Sequence, residues 1–345
     1  MIDWLSGKIH FLHTSEQLPS GSVVSVDSDG AIEWKTNKRI IVKGSHDSTF
    51  TIRTDPSSEV LSGLFSRLEF SGNPVKFLQG HNVWGSSDLT GLAYESIMKA
   101  LSSLGLKLSD NERSVLFKGH FSISRVDINQ MYSMGSLESV NQWLHSAEFC
   151  ARTRQGKGHF SGSTLYFQKK STRWSLKFYS KGVEIKASGH QLPREFLDAK
   201  SFHEYASDKL RAELTLRTKE LKKLGLDKGT SWGDNEHVDV FKDYMGRLDM
   251  SEQKQLDDLV LTLPTELRST YLSWKSGYDV KALLSKPTFY RHRKKLITHG
   301  LDISIPSGAR PNNVVPLMRV IEAIPAEIPA WAYGTSYYFE PRKAL

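Results

Sequence analysis

The sequence predicts an α+β protein, with an antiparallel β-sheet domain flanked by helices and a mainly helical C-terminal domain after it. Three observations lead to this prediction. Short strand-like segments fill the first 75 residues, further strands with period-two alternation follow before residue 218, and from about residue 234 the chain becomes acidic and helix-prone. We therefore predict a β-rich domain over residues 1–230 and a helical domain over residues 231–345.

The individual elements follow from hydrophobic periodicity and turn signals. The opening strands are predicted at residues 8–13, 22–26, 31–35, 39–44 and 48–53. Two amphipathic helices are predicted at residues 92–106 and 136–149. Three more strands are predicted in the segments SISRVDI, TRWSLKFYSK and LRAELTLR. The C-terminal helices are predicted in DNEHVDVFKDYMGRLDMSEQKQLDD, TELRSTYLSWKSG and DVKALLSKPTFYRHRKKLITHG.

Composition excludes several classes of protein. The chain has 345 residues, 39% of them apolar and 24% charged, and no apolar run approaches the roughly 18 residues that span a bilayer. The N-terminus lacks the features of a secretory leader. A single cysteine, Cys150, excludes an internal disulfide framework and any CxxC motif, which favours a reducing cytoplasm. A net charge of +8 favours anionic partners.

The positive charge concentrates in two windows that contain no acidic residue. Residues 149–183 carry eight Lys or Arg side chains, Arg173 and Lys177 among them, interleaved with aromatic residues. Such a pattern is typical of a surface that neutralises a nucleic-acid backbone and stacks unpaired bases. The alternative is a solvated basic face over ordinary core aromatics.

The second window, residues 280–301, has the form of a helix-turn-helix. A short helix, a break at Ser285 and a longer basic helix containing Arg291, Arg293 and Lys294 follow one another. This form predicts docking on duplex DNA, and an amphipathic helix for a membrane surface or a calmodulin-like partner is the alternative.

Three of the predicted strands carry matched polar faces. Because side chains alternate along a strand, two polar residues of each strand lie on the same side. These pairs are Arg125 and Asp127 in the first strand, Lys177 and Tyr179 in the second, and Arg211 and Glu213 in the third. If these strands are neighbours in one sheet, carboxylates sufficient for a hard divalent cation surround the tyrosine hydroxyl. Cross-strand ion pairs on a solvated face are the alternative. Glu184 would need a bulge at Gly182 to reach the same face.

Five segments resemble the gene II replication protein family of filamentous phages. These segments are LQGHNVWGSSDL (78–89), SRVD (124–127), YSKGVE (179–184), LRAE (210–213) and NNVVPLMR (312–319). The family consists of rolling-circle initiators, which nick and religate replicative DNA.

The resemblance implies a tyrosine mechanism. Tyr179 would be the nucleophile that forms a 5′-phosphotyrosyl link and leaves a free 3′-hydroxyl, with positive charge supplied by Lys181. Mg²⁺ or Mn²⁺ held by Asp127, Glu213 and Glu184 would polarise the scissile phosphate.

The remaining residues of these motifs are given DNA-binding or structural roles. Arg125 and Arg211 would orient the acids or clamp a phosphate. His81 and Asn82 lie in the longest motif, where a structural role for His81 is favoured over a metal ligand or phosphate donor. Many rolling-circle initiators use a His-hydrophobic-His metal motif, and this sequence contains none.

The resemblance also implies partners. Double-stranded origin DNA, single-stranded DNA, a host helicase and a single-strand-binding protein are expected, together with self-association on DNA in the bacterial cytoplasm. A non-enzymatic DNA-binding regulator and a metal-dependent hydrolytic nuclease that uses water are the alternative functions. The origin sequence, and whether it belongs to a phage or a plasmid, lie beyond the sequence.

Overall fold

The computed structural model describes residues 1–19, 21–250, 263–299, 301–305 and 325–341. Its strands are β1 (Ile2–Thr14), β2 (Ser22–Val26), β3 (Ile32–Asn37), β4 (Ile40–Lys43), β5 (Thr49–Thr54), β6 (Glu59–Leu61), β7 (Leu64–Gly72), β8 (Ser122–Ser133), β9 (Ala151–Thr153), β10 (Gly156–Lys157), β11 (His159–Ser161), β12 (Thr164–Phe167), β13 (Trp174–Ser180), β14 (Lys209–Arg217) and β15 (Asp249–Met250). Its helices are α1 (Pro74–Gln79), α2 (Leu89–Ser103), α3 (Asp110–Phe117), α4 (Leu137–Cys150), α5 (Lys181–Glu184), α6 (Ala199–Ala206), α7 (Thr218–Leu224), α8 (Glu236–Gly246), α9 (Thr265–Lys275), α10 (Val280–Leu283) and α11 (Lys286–Ile297).

One large antiparallel sheet organises the N-terminal part of the chain. Its strands lie in the order β11-β12-β13-β14-β8-β1-β7-β5-β4, and β6 pairs with β7. The three strands with matched polar faces are therefore neighbours, with β14 between β13 and β8. The predicted α+β class with an antiparallel sheet and flanking helices is confirmed.

The two faces of this sheet differ in polarity because alternate residues point to opposite sides. On the apolar face, buried side chains such as Leu176, Phe178 and Leu214 form the main core with helices α2 and α4. Trp143 of α4 packs against Phe178, with 5.0 Å between ring centroids. The opposite face carries the polar residues and is described below.

Helices on the apolar face begin where the sequence provides capping side chains. Asp88 accepts a hydrogen bond from the backbone N–H of Gly91 at the start of α2. Ser109 and Glu112 form a capping box at the start of α3. These caps satisfy backbone N–H groups that have no partner within the helix.

The C-terminal helices have a core of their own. Helix α9 contributes Leu267, Tyr271 and Trp274 to it, α10 contributes Val280, and α11 contributes Phe289 and Leu296. The predicted short helix, turn and basic helix are all present in this unit, whereas their use as a DNA-reading motif stays a prediction.

Helix α8 and residues 325–341 belong to the sheet body. Phe241 of α8 lies in the main core. Pro325 forms an isolated β-bridge with Tyr132, and Ala332 packs in a cluster that includes Trp84. The domain boundary near residue 230 stays a prediction. Within the described ranges, no helix combines the length and apolar character that crossing a membrane requires.

Candidate active site

Tyr179 and two of the three acids predicted beside it lie on the polar face of the sheet. Tyr179 pairs with Arg211 across β13 and β14, and Lys177 pairs with Glu213 in the same ladder. Asp127, on β8, pairs with the residue of β14 that lies two positions from Glu213. Directly paired residues share a face, so the sheet brings this tyrosine and two predicted carboxylates together.

Tyr179 is held against a carboxylate. Its hydroxyl donates a hydrogen bond of 3.3 Å to Oε2 of Glu213, and the residue is 6% exposed. Burial raises the pKa of the Tyr179 phenol well above its usual value, and the nearby Glu213 charge raises it further. The phenol is therefore protonated at neutral pH, and a base must take its proton before the oxygen can attack strongly.

Glu213 is placed to be that base. It is 1% exposed, and its Oε1 lies 2.6 Å from Nζ of Lys177. Burial raises the pKa of Glu213 to about 8; Lys177 opposes this rise, while the charges of Asp3 and Asp127 add to it. A carboxyl with this pKa gains and loses a proton close to physiological pH, which suits proton transfer.

Arg211 on β14 is the cross-strand partner of Tyr179 and is fully buried. One terminal nitrogen donates to the backbone oxygens of Asn82 and Val83. Its Nε and Nη1 have no hydrogen-bond partner among the described residues. Its charge opposes the rise in the Tyr179 pKa. Two unpaired donors of a buried guanidinium are a natural site for an anionic oxygen.

Asp127 and Asp3 complete the acidic part of the face. The guanidinium of Arg125 donates two hydrogen bonds, of 2.8 and 2.6 Å, to the carboxylate of Asp127. Asp3 accepts hydrogen bonds from the side-chain amides of Asn73 and Asn82. It sits at a register shift in β1, between Ile2 and Trp4 in sequence.

Asp3 was not among the predicted site residues, because the first strand was predicted from residue 8, whereas β1 starts at Ile2. The alternation of apolar residues in IDWLSGKIHFLH was the available signal, and the bulge that turns Asp3 toward the site is not visible in it.

Lys181 and Glu184 do not continue the predicted strand TRWSLKFYSK, so their predicted placement along its polar face was wrong, whereas the roles predicted for them stay predictions. Strand β13 ends at Ser180, and Lys181 to Glu184 form the short helix α5 in place of a bulge at Gly182. A Cβ on Gly182 would approach the backbone oxygen of Ala206 to 2.8 Å, so glycine permits this close packing on α6.

Lys181 is fully buried within this turn. Its ammonium donates to Glu184 at 2.7 Å and to Asn82 at 3.0 Å. Glu184 also lies 3.0 Å from His190. Burial, followed by the charge of Arg211, lowers the pKa of Lys181 to about 8. Lys181 therefore ties the loop that contains Asn82 to α5.

His81 is built into a buried aromatic cluster. Its Nε2 lies 2.8 Å from the backbone oxygen of Tyr337, and its ring packs edge-on against Trp84 and Phe202. Burial lowers the pKa of His81 to about 3, so the ring is neutral at physiological pH. These contacts agree with a structural role.

The three predicted metal ligands are not assembled together. Each is paired with a basic side chain: Glu213 with Lys177, Asp127 with Arg125, and Glu184 with Lys181. In the part of the chain that the structure describes, no three acidic, histidine or cysteine side chains form a group that could hold a metal ion.

The predicted DNA-binding residues lie in several places. Arg173 pairs with Glu220 at 2.6 Å on the side of α7, and Arg293 pairs with Asp302 through two hydrogen bonds. Arg291 and Lys294 are exposed on α11. The motif at residues 312–319 lies outside the described residues.

Comparisons with known proteins match almost the whole chain. Residues 1–235 match the family model for the N-terminal part of a phage replication-associated protein, the gene II product, and residues 256–341 match the model for its C-terminal part. The replication-associated protein of the same family from Enterobacteria phage I2-2 is 40% identical over 334 residues, which cover 96% of each chain. The resemblance in the sequence motifs is thereby confirmed, and this chain belongs to the gene II family of phage replication-associated proteins.

Proposed function

We propose that this protein initiates rolling-circle replication by nicking the plus strand of double-stranded DNA at its origin, and later rejoins the displaced strand. The observation that carries the proposal is the hydrogen bond between the Tyr179 hydroxyl and the high-pKa carboxyl of Glu213. Family membership supports the replication role, because the matched relative is named a replication-associated protein.

In the cleavage step, the phenolic oxygen of Tyr179 bonds to phosphorus and its proton passes to ionised Glu213. The bond from phosphorus to the 3′-oxygen breaks on the side opposite Tyr179, and that oxygen takes a proton from water. The products are a 5′-phosphotyrosyl link and a free 3′-hydroxyl. Attack by a later 3′-hydroxyl reverses the step, and because the phosphotyrosine conserves the ester, rejoining needs no nucleotide cofactor.

The reactive groups are buried, whereas the cations over them are partly accessible. The side chain of Lys177 is 29% exposed and that of Arg125 is 39% exposed. An incoming phosphate competes with Glu213 and Asp127 for these two cations. We propose that DNA exchanges these ion pairs, which opens the approach to Tyr179 and frees both carboxylates.

Freed in this way, Asp127 and Glu213 fit a hard divalent cation. Both offer oxygen ligands on neighbouring strands, and the repulsion from Asp3 and Asp127 that raises the pKa of Glu213 is the kind that a cation relieves. Mg²⁺ characteristically binds one or two carboxylates together with substrate phosphate oxygens. When bound, Mg²⁺ or Mn²⁺ would supply Lewis-acid polarisation of the scissile phosphate. Glu184 does not fit, because Lys181 and His190 occupy its oxygens.

Replacing Asp127 with Asn tests this ligand assignment. We expect Asp127→Asn to raise the Mg²⁺ concentration needed for half-maximal nicking by roughly 10- to 100-fold or more. Loss of a residue that only orients a metal ligand already costs this much, and here a charged ligand is lost. Titration of Mg²⁺ and of Mn²⁺ in a supercoiled-plasmid nicking assay measures it. Asp110→Asn, which removes an exposed carboxylate from α3, is the matched control. An unchanged metal dependence in Asp127→Asn would remove this residue from the site.

Helix α11 is proposed as the duplex-docking element. Lys286, Arg291 and Lys294 are exposed on it, and Tyr290 is 49% exposed beside them. Its apolar side, with Phe289 and Leu296, is buried in the C-terminal core. A helix held in this way presents its basic side outward, as a groove-binding helix does.

Neutralising Arg291 and Lys294 together tests this docking. We expect the double Gln variant to weaken duplex-origin binding and to reduce the slope of log K against log salt by about 2, close to one unit per lost phosphate contact. Arg293 is left in place because it pairs with Asp302. Lys222→Gln with Lys223→Gln on α7 removes the same charge elsewhere, and equal losses in both double variants would rule out a specific role for α11.

One experiment tests the whole proposal. The protein is incubated with a labelled origin oligonucleotide and Mg²⁺ or Mn²⁺, and a denaturation-resistant adduct is mapped by mass spectrometry. The proposal requires the label on the peptide that contains Tyr179. Specific binding without an adduct or cleavage would favour a non-enzymatic regulator, and cleavage without an adduct would favour a hydrolytic nuclease.

The free 3′-hydroxyl serves as a primer, and the displaced strand has to be unwound and covered. A host helicase and a single-strand-binding protein are therefore proposed partners in the bacterial cytoplasm, and self-association at the origin is proposed with them.

A further inference from the structure

A row of paired side chains links the outer edge of the sheet to the reactive centre. His159 on β11 pairs with Tyr166 on β12, and Tyr166 pairs with Lys177 on β13. Lys177 in turn pairs with Glu213. Because paired residues share a face, Tyr166 lies on the polar face, one strand outward from Tyr179.

Tyr166 has the surroundings of a stacking platform. It is half-buried, and its ring lies 6.4 Å from the ring of His159 at an interplanar angle of 29°. The ammonium of Lys169 lies 4.6 Å from the centre of the Tyr166 ring. His159 and Lys169 are both exposed. A ring combined with nearby positive charge is what nucleic-acid bases and their phosphates bind.

A second aromatic side chain lies on the other side of the reactive centre. Trp4 on β1 pairs with Asp127 on β8 and is half-buried. The guanidinium of Arg125 lies 5.2 Å from the centre of the Trp4 ring. The strand order places β13 and β14, which carry Tyr179 and Glu213, between β12 and β8.

Most other rings of the basic window point away from this face. Phe167, Trp174 and Phe178 are buried in the main core, and Phe160 packs against that core. Among the aromatic side chains that the structure describes in residues 149–183, Tyr166 therefore joins Tyr179 on the polar side. The aromatic-rich sequence pattern reflects mostly core packing, with one ring beside the nucleophile left for a ligand.

We propose that the polar face between Tyr166 and Trp4 is a single-stranded DNA track, in which bases on the two sides of the scissile phosphate stack on these two rings. Lys169 and Arg125 would hold the adjoining phosphates. This inference rests on the proposed function, and it assigns to Tyr166 and Trp4 the role of positioning the strand over Tyr179.

The dimensions of the sheet suit a short stretch of one strand. From β12 to β1 there are four interstrand steps, or about 19 Å at roughly 4.8 Å each. Tyr179 is one step from β12 and three steps from β1, so the track is asymmetric about the cleaved phosphate. Unpaired bases expose the ring faces that stacking requires, whereas a duplex conceals them. The track should therefore bind single-stranded DNA and not duplex DNA.

The test measures binding without cleavage. In a Tyr179→Phe background, a fluorescent single-stranded origin oligonucleotide is titrated against Tyr166→Ala, Trp4→Ala and the double variant. We expect each single change to weaken binding by roughly 5- to 150-fold, the usual loss for one stacked base, and Tyr166→Phe and Trp4→Phe to restore most of it. Duplex of the same sequence should be bound almost equally by all variants.

Phe160→Ala is the matched control, because this residue lies next to His159 on the same strand but packs against the apolar core. It removes a ring and destabilises the edge of the sheet without touching the track. Unchanged single-strand affinity in the double Ala variant, or an equal loss in Phe160→Ala, would overturn the inference. These outcomes are separate from failure of the proposed function, which would appear as an absent Tyr179 adduct in the otherwise unchanged protein.

Discussion

Replacing Tyr179 with Phe is expected to abolish formation of the protein–DNA adduct and to lower origin nicking on the order of 10⁴-fold or more, as the loss of an enzyme nucleophile does. The change removes one hydroxyl and its hydrogen bond to Glu213, and the ring still fills its place between β12 and β14. Nicking of supercoiled origin DNA and detection of labelled protein measure both effects.

Tyr132→Phe is a suitable control for this change. Tyr132 is also buried and also hydrogen-bonded through its hydroxyl, but to Gln130 on its own strand. It should nick normally, and the Tyr179→Phe variant should bind origin DNA normally. Nicking by Tyr179→Phe at near the original rate would mean that the nucleophile is another group or water.

Replacing Glu213 with Gln is expected to lower nicking by roughly 10²- to 10⁴-fold, the usual contribution of a general base. In the unchanged protein the rate should rise with pH as Glu213 ionises, because only the ionised carboxylate accepts the proton. Its pKa is about 8 without a cation, so the midpoint of this rise should lie below 8 once Mg²⁺ is bound. The variant should lose this rise. Single-turnover nicking rates across the pH range measure it.

Stability provides the control for Glu213→Gln. The Glu213 carboxyl has a pKa of about 8 in the folded chain, whereas an ordinary glutamate has a pKa of 4.5. Its contribution to folding is therefore most favourable at low pH. That contribution is lost as pH rises from about 4.5 to about 8. Glu213→Gln should therefore be no less stable than the parent at pH 8 in urea unfolding. A large loss of stability there, or an unaltered pH–rate profile, would contradict the base role.

The sequence was most informative about which face of a strand each side chain lies on, because that depends on one strand alone. Period-two alternation put Tyr179 and Lys177 on the polar side and Phe178 on the apolar side, and both assignments agree with the structure. Pairing between strands depends on partners far apart in the chain, and the polar faces alone suggested that the three strands are neighbours. That suggestion succeeded because a buried polar residue needs partners on the next strand.

Three features of the site could not be read from local patterns. Asp3 reaches the centre through a bulge in β1, and Trp4 joins it because β1 lies next to β8. Lys181 leaves the strand because β13 gives way to a helical turn at Ser180. Each depends on tertiary packing, which overrides a regular strand period wherever an irregular backbone is better packed.

The return of residues 325–341 to the sheet body affects how the C-terminal region should be dissected. The backbone oxygen of Tyr337 contacts both His81 and Trp84, and Phe339 donates its N–H to Gln79. Truncation after α11 would thus remove contacts that support the loop to which Arg211 and Lys181 are hydrogen-bonded. The resulting inactivity could be mistaken for a loss of DNA docking by α11. To test the helical unit alone, the deletion should remove α9 to α11 internally and retain residues 325–341.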